Sequence, residues 1–246
     1  MHVAVEDAES ARARLLVLAP AGFEEIERPA TVELVAYTDD QGASAIESAF
    51  PGATATPVEP GWEERWREFH HAVRAGGLWI RPPWDAPLAG ETSVVIDPGR
   101  AFGTGAHPTT RACLELLSLL PPSSLLDAGC GSGVIAIAAA LLGFEPVIAV
   151  DADPVAVEVT EENAARNGVR IDTRRLDALA DPLPSADLVV ANIELGIVES
   201  LLSRRPAGLA ITSGYLAGEL PRAPGWTAVE SIELEGWAAH LFRAPS

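Results

Sequence analysis

A glycine-rich loop and two carboxylates, spaced as a ligand-binding crevice requires, stand in the middle of the chain. The apolar residues that open the segment LLDAGCGSG (125–133) lead into Asp127, and glycines then follow at every second position. Such glycines allow a sharp turn and a close approach of the backbone to a ligand. The next apolar run, PVIAVDAD, reaches Asp151 beside the same crevice. The pattern predicts a nucleoside site, and its alternative is a structural turn between a strand and a helix.

The glycine positions separate two classes of nucleoside cofactor. A dinucleotide fingerprint would place its third glycine at position 134, where this chain has Val134. Here an acid leads the pattern, as Asp-x-Gly-x-Gly-x-Gly. That order resembles motif I of the S-adenosylmethionine-dependent methyltransferases, which have a Rossmann-like sheet. Their cofactor has no pyrophosphate to bind at a helix N-terminus, and the resemblance makes Asp151 the acid that holds its ribose hydroxyls.

A second dense motif, DPGRAFGTGAHPTT over residues 97–110, precedes the glycine-rich loop. Its phrase AFGTGAHPTT, ahead of DAGCGSG and later VDADP, closely resembles the ribosomal protein L11 methyltransferases (PrmA). The resemblance covers most of the chain, including the linker sequence WEERWREF and a ferredoxin-like N-terminal domain. It implies that methyl groups of S-adenosyl-L-methionine pass to lysine ε-amines, and to an N-terminal α-amine, of a basic protein of the large ribosomal subunit.

The resemblance also implies which residues bind the cofactor. Those expected to contact or enclose it are Phe102, Gly103, Thr104, Thr110, Asp127, Gly129, Gly131, Gly133, Asp151, Asp177 and Asn192. Within this set, Asp177 is expected at the adenine amino group. Phe102, Gly103 and Thr104, together with His107, are expected to form a lid over the cofactor.

Three side chains, Asn192, Glu194 and His107, are the candidates for catalysis. A lysine amine has a pKa of about 10.4, so presenting it neutral at pH 7 costs roughly 4 to 5 kcal/mol. We expect the segment ANIE around Asn192 to orient the amine toward the methyl group, with water taking the proton. Glu194 would accept a proton or attract the substrate. His107 is either chemically active or a structural hydrogen-bonding residue.

Charge limits the partners that the chain can bind. The formal net charge is -18, and all 17 basic residues are arginine. The electrostatic field of so negative a chain repels phosphate backbones and attracts basic proteins, so we expect no direct binding of nucleic acid. The alternative is that the acidity serves solubility alone.

Composition also bears on metals and location. Cys113 and Cys130 are isolated, and the adjacent His70 and His71 cannot share a helical face, so no metal site is expected. No apolar run approaches the roughly 20 residues that cross a bilayer. The acidic start lacks the basic region of a signal peptide. We therefore expect no membrane association and a cytoplasmic location.

The elements that must position these side chains fall into three predicted regions. Residues 1–60 follow the order βαββαβ, which predicts a ferredoxin-like substrate-recognition domain. Residues 61–90 predict a linker helix followed by a strand and a turn-rich connector. Residues 91–246 alternate strands and helices and end in an antiparallel pair, which predicts a doubly wound α/β methyltransferase domain. Its sites should lie at the carboxyl ends of the strands.

Two other functions stay open from the sequence. The same core could methylate another protein or a small-molecule amine. It could also bind the cofactor without catalysing a reaction. Methyl transfer to a purified ribosomal protein would distinguish these functions.

Overall fold

The computed structural model of the chain describes residues 2–4, 11, 14–15, 18, 24–27, 31–36, 38, 40–56, 71–98, 101 and 103–245. Residues 61–70 of the predicted linker helix and connector (61–90) lie outside these ranges, as does the predicted cofactor residue Phe102. The chain divides into two compact units, Met1–Glu64 and Arg65–Ser246. Within the described ranges, the structure contains no helix whose length and apolar character would let it span a bilayer.

The first unit contains a three-stranded antiparallel sheet and a helix. Its elements are β1 (His2–Ala4), β2 (Glu24–Glu27), β3 (Thr31–Val35) and α1 (Asp40–Ala49). The order β1-β3-β2 places the alternating strand β3 at the centre, and its residues Val32 and Leu34 are buried with Ile46 of α1. The predicted last strand, ATATPVE, is not formed over residues 53–56, which offer only alanine and threonine to a core. Its remaining residues lie outside the described part.

The second unit begins with a small sheet where the sequence predicts mainly a connector. Its strands are β4 (Val73–Ala75), β5 (Leu78–Arg81) and β6 (Ser93–Val95). Strand β5 is the predicted strand in LWIRPPW, and it pairs antiparallel with β4 and parallel with β6. Its buried Leu78 and Ile80 belong to the main hydrophobic core. The flanking strands span only three residues each, too few to show an alternating pattern in sequence.

The remainder of the second unit is a doubly wound α/β sheet. Its elements are α2 (Pro108–Ser118), β7 (Leu125–Ala128), α3 (Val134–Leu141), β8 (Val147–Asp151), α4 (Pro154–Asn167), β9 (Asp172–Arg175), β10 (Leu188–Asn192), α5 (Leu195–Ser203), β11 (Leu209–Leu216), β12 (Thr227–Leu234) and β13 (Trp237–Arg243). The strand order is β12-β13-β11-β10-β7-β8-β9, and the five strands from β11 to β9 are parallel. The final pair, β12 and β13, is antiparallel, as predicted.

The strand order sets the position of the site. From β7 the chain adds β8 and β9 on one side, and then β10 and β11 on the other, so the order switches beside β7. Ligands of such sheets bind outside the carboxyl ends of the strands at this switch. The predicted loop follows β7, and Asp151 and Asn192 are the last residues of β8 and β10. All three features therefore lie at one edge of the sheet.

Candidate functional site

The glycine-rich loop turns through conformations that favour glycine. Its three glycines have positive φ angles: 79° at Gly129, 53° at Gly131 and 80° at Gly133. A Cβ atom at Gly129 would lie 2.6 Å from Cγ2 of Ile193, and one at Gly133 would lie 2.8 Å from Cγ2 of Thr160. The loop is therefore packed against α4 and against the residue that follows β10, and larger residues would displace it.

Asp151 closes the loop from the neighbouring strand. Its Oδ2 accepts a hydrogen bond from the N–H of Gly131 at 3.0 Å, and its Oδ1 accepts one from Asp153 at 3.0 Å. A carboxylate oxygen has more than one lone pair. Asp151 can therefore hold the loop and still accept hydrogen bonds from a pair of ligand hydroxyls.

Asp127 lies beneath the loop. Only 1% of the residue is exposed, and Oδ2 accepts a hydrogen bond from the N–H of Ala136 in α3 at 3.1 Å. Burial raises the pKa of this carboxyl group to about 7, the hydrogen bond from Ala136 opposes the rise, and the charge of Asp151 adds to it. The described contact is with the helix, and the predicted contact of Asp127 with a cofactor stays a prediction.

Asn192 and Thr110 meet across 82 residues of sequence. The Nδ2 of Asn192 donates a hydrogen bond to Oγ1 of Thr110 at 3.1 Å. Thr110 lies in the first turn of α2 and is 1% exposed. This contact joins the second sequence motif to the carboxyl end of β10.

His107 caps the helix that carries Thr110. Its Nδ1 lies 2.8 Å from Oγ1 of Thr109 and accepts a hydrogen bond from the N–H of Thr109 at 3.4 Å. The ring also packs edge-on against Trp237, with centroids 5.0 Å apart. Burial lowers the pKa of His107, and the charge of Glu235 partly opposes this. These contacts are structural, and a chemical role for His107 stays untested.

The segment ahead of His107 contacts the glycine-rich loop. The Oγ of Ser132 donates a hydrogen bond to the carbonyl oxygen of Gly103, whose φ is 104°. Oγ1 of Thr104 accepts a hydrogen bond from the N–H of Ala106 at 3.4 Å. Gly103 is therefore beside the loop, and its role in a lid over the cofactor stays a prediction.

Glu194 and Asp177 are at the ends of the expected strands but on exposed positions. Glu194 precedes α5 and makes no side-chain capping hydrogen bond. Oδ1 of Asp177 accepts hydrogen bonds from the N–H groups of Leu179 and Ala180, at 2.8 and 3.3 Å. Over the described ranges, neither carboxylate forms a hydrogen bond or ion pair with another predicted site residue.

The two cysteines of the chain are both buried. Burial raises the pKa of the Cys130 thiol to about 12, so it stays protonated and is a poor nucleophile. Cys113 is also buried and unpaired. In the part of the chain that the structure describes, no three His, Cys, Asp or Glu residues converge as metal ligands.

Helix α4 contributes loop contacts that the motifs did not predict. Oγ1 of Thr160 donates a hydrogen bond to the carbonyl of Gly131 at 3.1 Å, and Nδ2 of Asn163 donates one to the carbonyl of Ser132 at 3.0 Å. Both side chains are buried. The available signal is their i, i+3 spacing, which places two polar residues on one face of the predicted helix.

Strand β11 also closes on the site, through a bulge between Ser213 and Tyr215. The intervening Gly214 has a φ of 104°, and a Cβ atom there would lie 2.1 Å from the carbonyl oxygen of Ile193. The N–H of Ile193 donates a hydrogen bond to the carbonyl of Ser213 at 3.1 Å. The bulge therefore fixes the backbone that directly follows Asn192.

The chain is similar to known proteins in both sequence and structure. The family model of the ribosomal protein L11 methyltransferase (PrmA) matches residues 21–244. The protein of that name from Symbiobacterium thermophilum is 40% identical over 205 residues, which are 76% of this chain and 67% of that protein. The one from Azotobacter vinelandii is 43% identical over 191 residues, 72% of this chain and 65% of that protein.

A solved structure agrees with these matches. The ribosomal protein L11 methylase from Lactobacillus delbrueckii subsp. bulgaricus superposes with a TM-score of 0.66 and 28% identity, over 72% of this chain and 100% of that one. The matched region spans about two thirds of the length of the curated relatives, 65–67%. With a family model that matches nearly the whole sequence and relatives above 30% identity, this chain belongs to the ribosomal protein L11 methyltransferase family.

Proposed function

We propose that this chain is an S-adenosylmethionine-dependent methyltransferase that modifies lysine ε-amines, and an N-terminal α-amine, of ribosomal protein L11. One observation carries the proposal: the glycine-rich loop, Asp151 and the hydrogen-bonded pair Asn192–Thr110 lie together at one edge of the sheet. Family membership supports the identity of the acceptor protein.

The residues of the crevice fit this cofactor. The loop offers backbone in a conformation that glycine favours, and Asp151 offers carboxylate oxygens for the ribose hydroxyls. In the proposal Asp177 contacts the adenine, while Gly103 and Thr104 help to enclose the cofactor. When bound, S-adenosylmethionine supplies an electrophilic methyl group on a positively charged sulfur.

Asn192 is the proposed positioning group for the amine. Because its Nδ2 donates to Thr110, the plane of the amide is fixed and the amide oxygen is left as an acceptor for an amine N–H. Positioning of this kind lowers the barrier by aligning the nitrogen with the methyl group. Water takes the proton that the amine must lose, and Glu194 attracts the positively charged amine to the exposed mouth of the site.

Methyl transfer to purified L11 tests the proposal. With isotope-labelled cofactor, peptide mass analysis should find methyl groups on lysines of L11. Asn192→Ala should slow transfer by about 100-fold, because the amine loses its orientation. Cofactor binding without transfer to L11 would instead support one of the other functions, and full activity of Asn192→Ala would remove Asn192 from the mechanism.

The charge of the chain supports a basic protein partner. Residues 1–60 hold 11 acidic residues against three arginines, and the whole chain has a net charge of -18. A negative field raises the rate of encounter with a basic substrate and disfavours bare nucleic acid. In the proposal residues 1–60 capture L11, residues 91–246 carry out transfer, and the reaction takes place in the cytoplasm, where ribosomes assemble.

A further inference from the structure

Asn163 connects two segments of the site through one buried amide. The residue is 1% exposed. Its Nδ2 donates a hydrogen bond to the carbonyl of Ser132 in the glycine-rich loop at 3.0 Å, and its Oδ1 accepts one from the N–H of Asp97 at 3.2 Å. Asp97 begins the second sequence motif. A single side chain of α4 therefore holds the backbone of both motifs.

Ser132 makes the second connection between the same two segments. It is 1% exposed, and its Oγ donates a hydrogen bond to the carbonyl of Gly103. A Cβ atom at Gly103 would lie 3.1 Å from this oxygen, which shows how closely the two backbones approach. The loop is therefore tied to Asp97 through Asn163, and to Gly103 through its own hydroxyl.

Asn167 provides a natural comparison one turn further along the helix. Its Oδ1 accepts a hydrogen bond from the N–H of Val95 at 2.8 Å, and its Nδ2 donates one to the carbonyl of Val95 at 2.7 Å. Asn167 thus anchors β6 as Asn163 anchors Asp97. Its Nδ2 also donates a hydrogen bond to the backbone carbonyl of Asn163 at 2.8 Å, and among the described residues none of its hydrogen bonds reaches the glycine-rich loop.

We propose that Asn163 and Ser132 are positioning residues that couple the glycine-rich loop to the second sequence motif, through Asp97 and Gly103, and thereby set the affinity for the cofactor. The inference rests on the proposed function for the identity of that cofactor. Because the two segments share one hydrogen-bonded network, ordering one of them orders the other. Coupling of this kind is reciprocal, so cofactor bound at the loop also orders the segment.

Binding of S-adenosylhomocysteine, measured by calorimetry beside the thermal midpoint of unfolding, tests the proposal. Asn163→Ala should weaken binding about tenfold, the size expected for a lost buried hydrogen bond. Asn167→Ala removes a comparable anchor and should lower the midpoint similarly, yet leave the Kd within about twofold of wild type. Equal weakening by both variants would show a general loss of stability, and wild-type affinity of Asn163→Ala would also overturn the proposal.

Ser132→Ala keeps the test valid if Asn163→Ala does not fold, since it removes only one hydroxyl. It should weaken binding about threefold to tenfold. Hydrogen exchange supplies a further readout: saturating S-adenosylhomocysteine should slow exchange over residues 103–107 in wild type but not in either variant. Unchanged protection in both variants would contradict the coupling. A wild-type chain that binds no S-adenosylhomocysteine would overturn the proposed function itself, whereas normal binding by the variants would overturn only this inference.

Discussion

Asp127 is a buried acid whose described contact is with the start of α3. Its Oδ2 accepts a hydrogen bond from the N–H of Ala136 in the first turn of α3, while burial raises its pKa from 3.8 to about 7. Between about pH 4 and pH 7 the folded chain therefore keeps a proton that the unfolded chain releases. The free energy of unfolding falls as the pH rises through that window.

Replacing Asp127 should remove its contribution to the pH dependence of the free energy of unfolding. In Asp127→Asn the side chain is neutral at every pH, and its amide oxygen can still accept the hydrogen bond from Ala136. The stability difference between variant and wild type should grow in favour of the variant by on the order of 3 kcal/mol from pH 4 to pH 8. Urea unfolding across this range measures it. A difference that does not change with pH would mean that Asp127 titrates as an exposed acid does.

At the scale of elements, the bulge in β11 links the outer strands to the backbone that follows Asn192. This backbone, where the proposal places the amine, is called the acceptor side. Gly214 lets β11 approach the carbonyl of Ile193, and the Cγ2 of Ile193 lies only 2.6 Å from the position that a Cβ atom of Gly129 would take. The backbone after Asn192 is thus enclosed between the bulge and the glycine-rich loop. The geometry of the acceptor side depends on this packing.

Alanine substitutions at two glycines separate the effect of steric crowding from the effect of a positive φ angle. Gly214 and Gly218 both have positive φ, but a Cβ atom at Gly218 would meet nothing within 4 Å. Gly218→Ala should cost about 1 kcal/mol of stability and leave activity unchanged. Gly214→Ala should cost roughly 3 kcal/mol and slow methyl transfer at least tenfold, because it displaces Ile193. Thermal unfolding and initial rates measure both effects, and equal rates for the two variants would contradict this role of the bulge.

The sequence could predict those features of the site that depend on residues close together in the chain. The loop after β7 and the acid that ends β8 are defined by their immediate neighbours, so Asp127 and Asp151 could be placed from their motifs alone. The contact between Asn163 and Ser132 joins residues 31 apart, and the bulge at Gly214 depends on a neighbouring strand. Strands β4 and β6 have three residues each. Such features arise from packing between distant segments, and a local pattern such as the i, i+3 spacing of Thr160 and Asn163 does not show which segment is contacted.

At the scale of the whole molecule, binding of the two ligands is divided between the two units in the proposal. The two large core clusters that pack against the main sheet are formed by residues of the unit Arg65–Ser246. All the described site residues also belong to this unit. The first unit has its own small core around Leu15, Leu34 and Ile46. We therefore expect cofactor binding to need only the second unit, whereas the proposal assigns capture of L11 to the acidic residues 1–60.

A fragment comprising residues 65–246 tests this division. It should fold on its own core and bind S-adenosylhomocysteine within about twofold of the full chain, because no described cofactor residue is removed. Its methylation of L11 should fall by at least tenfold through a raised KM, and should lose much of its salt dependence. In the full chain, raising KCl from about 50 to 500 mM should raise the KM for L11 while the Kd for S-adenosylhomocysteine stays nearly constant, since salt screens attraction between distant charges. A fragment that methylates L11 as fast as the full chain would assign substrate capture to the second unit, and the acidity of the first unit would then serve solubility.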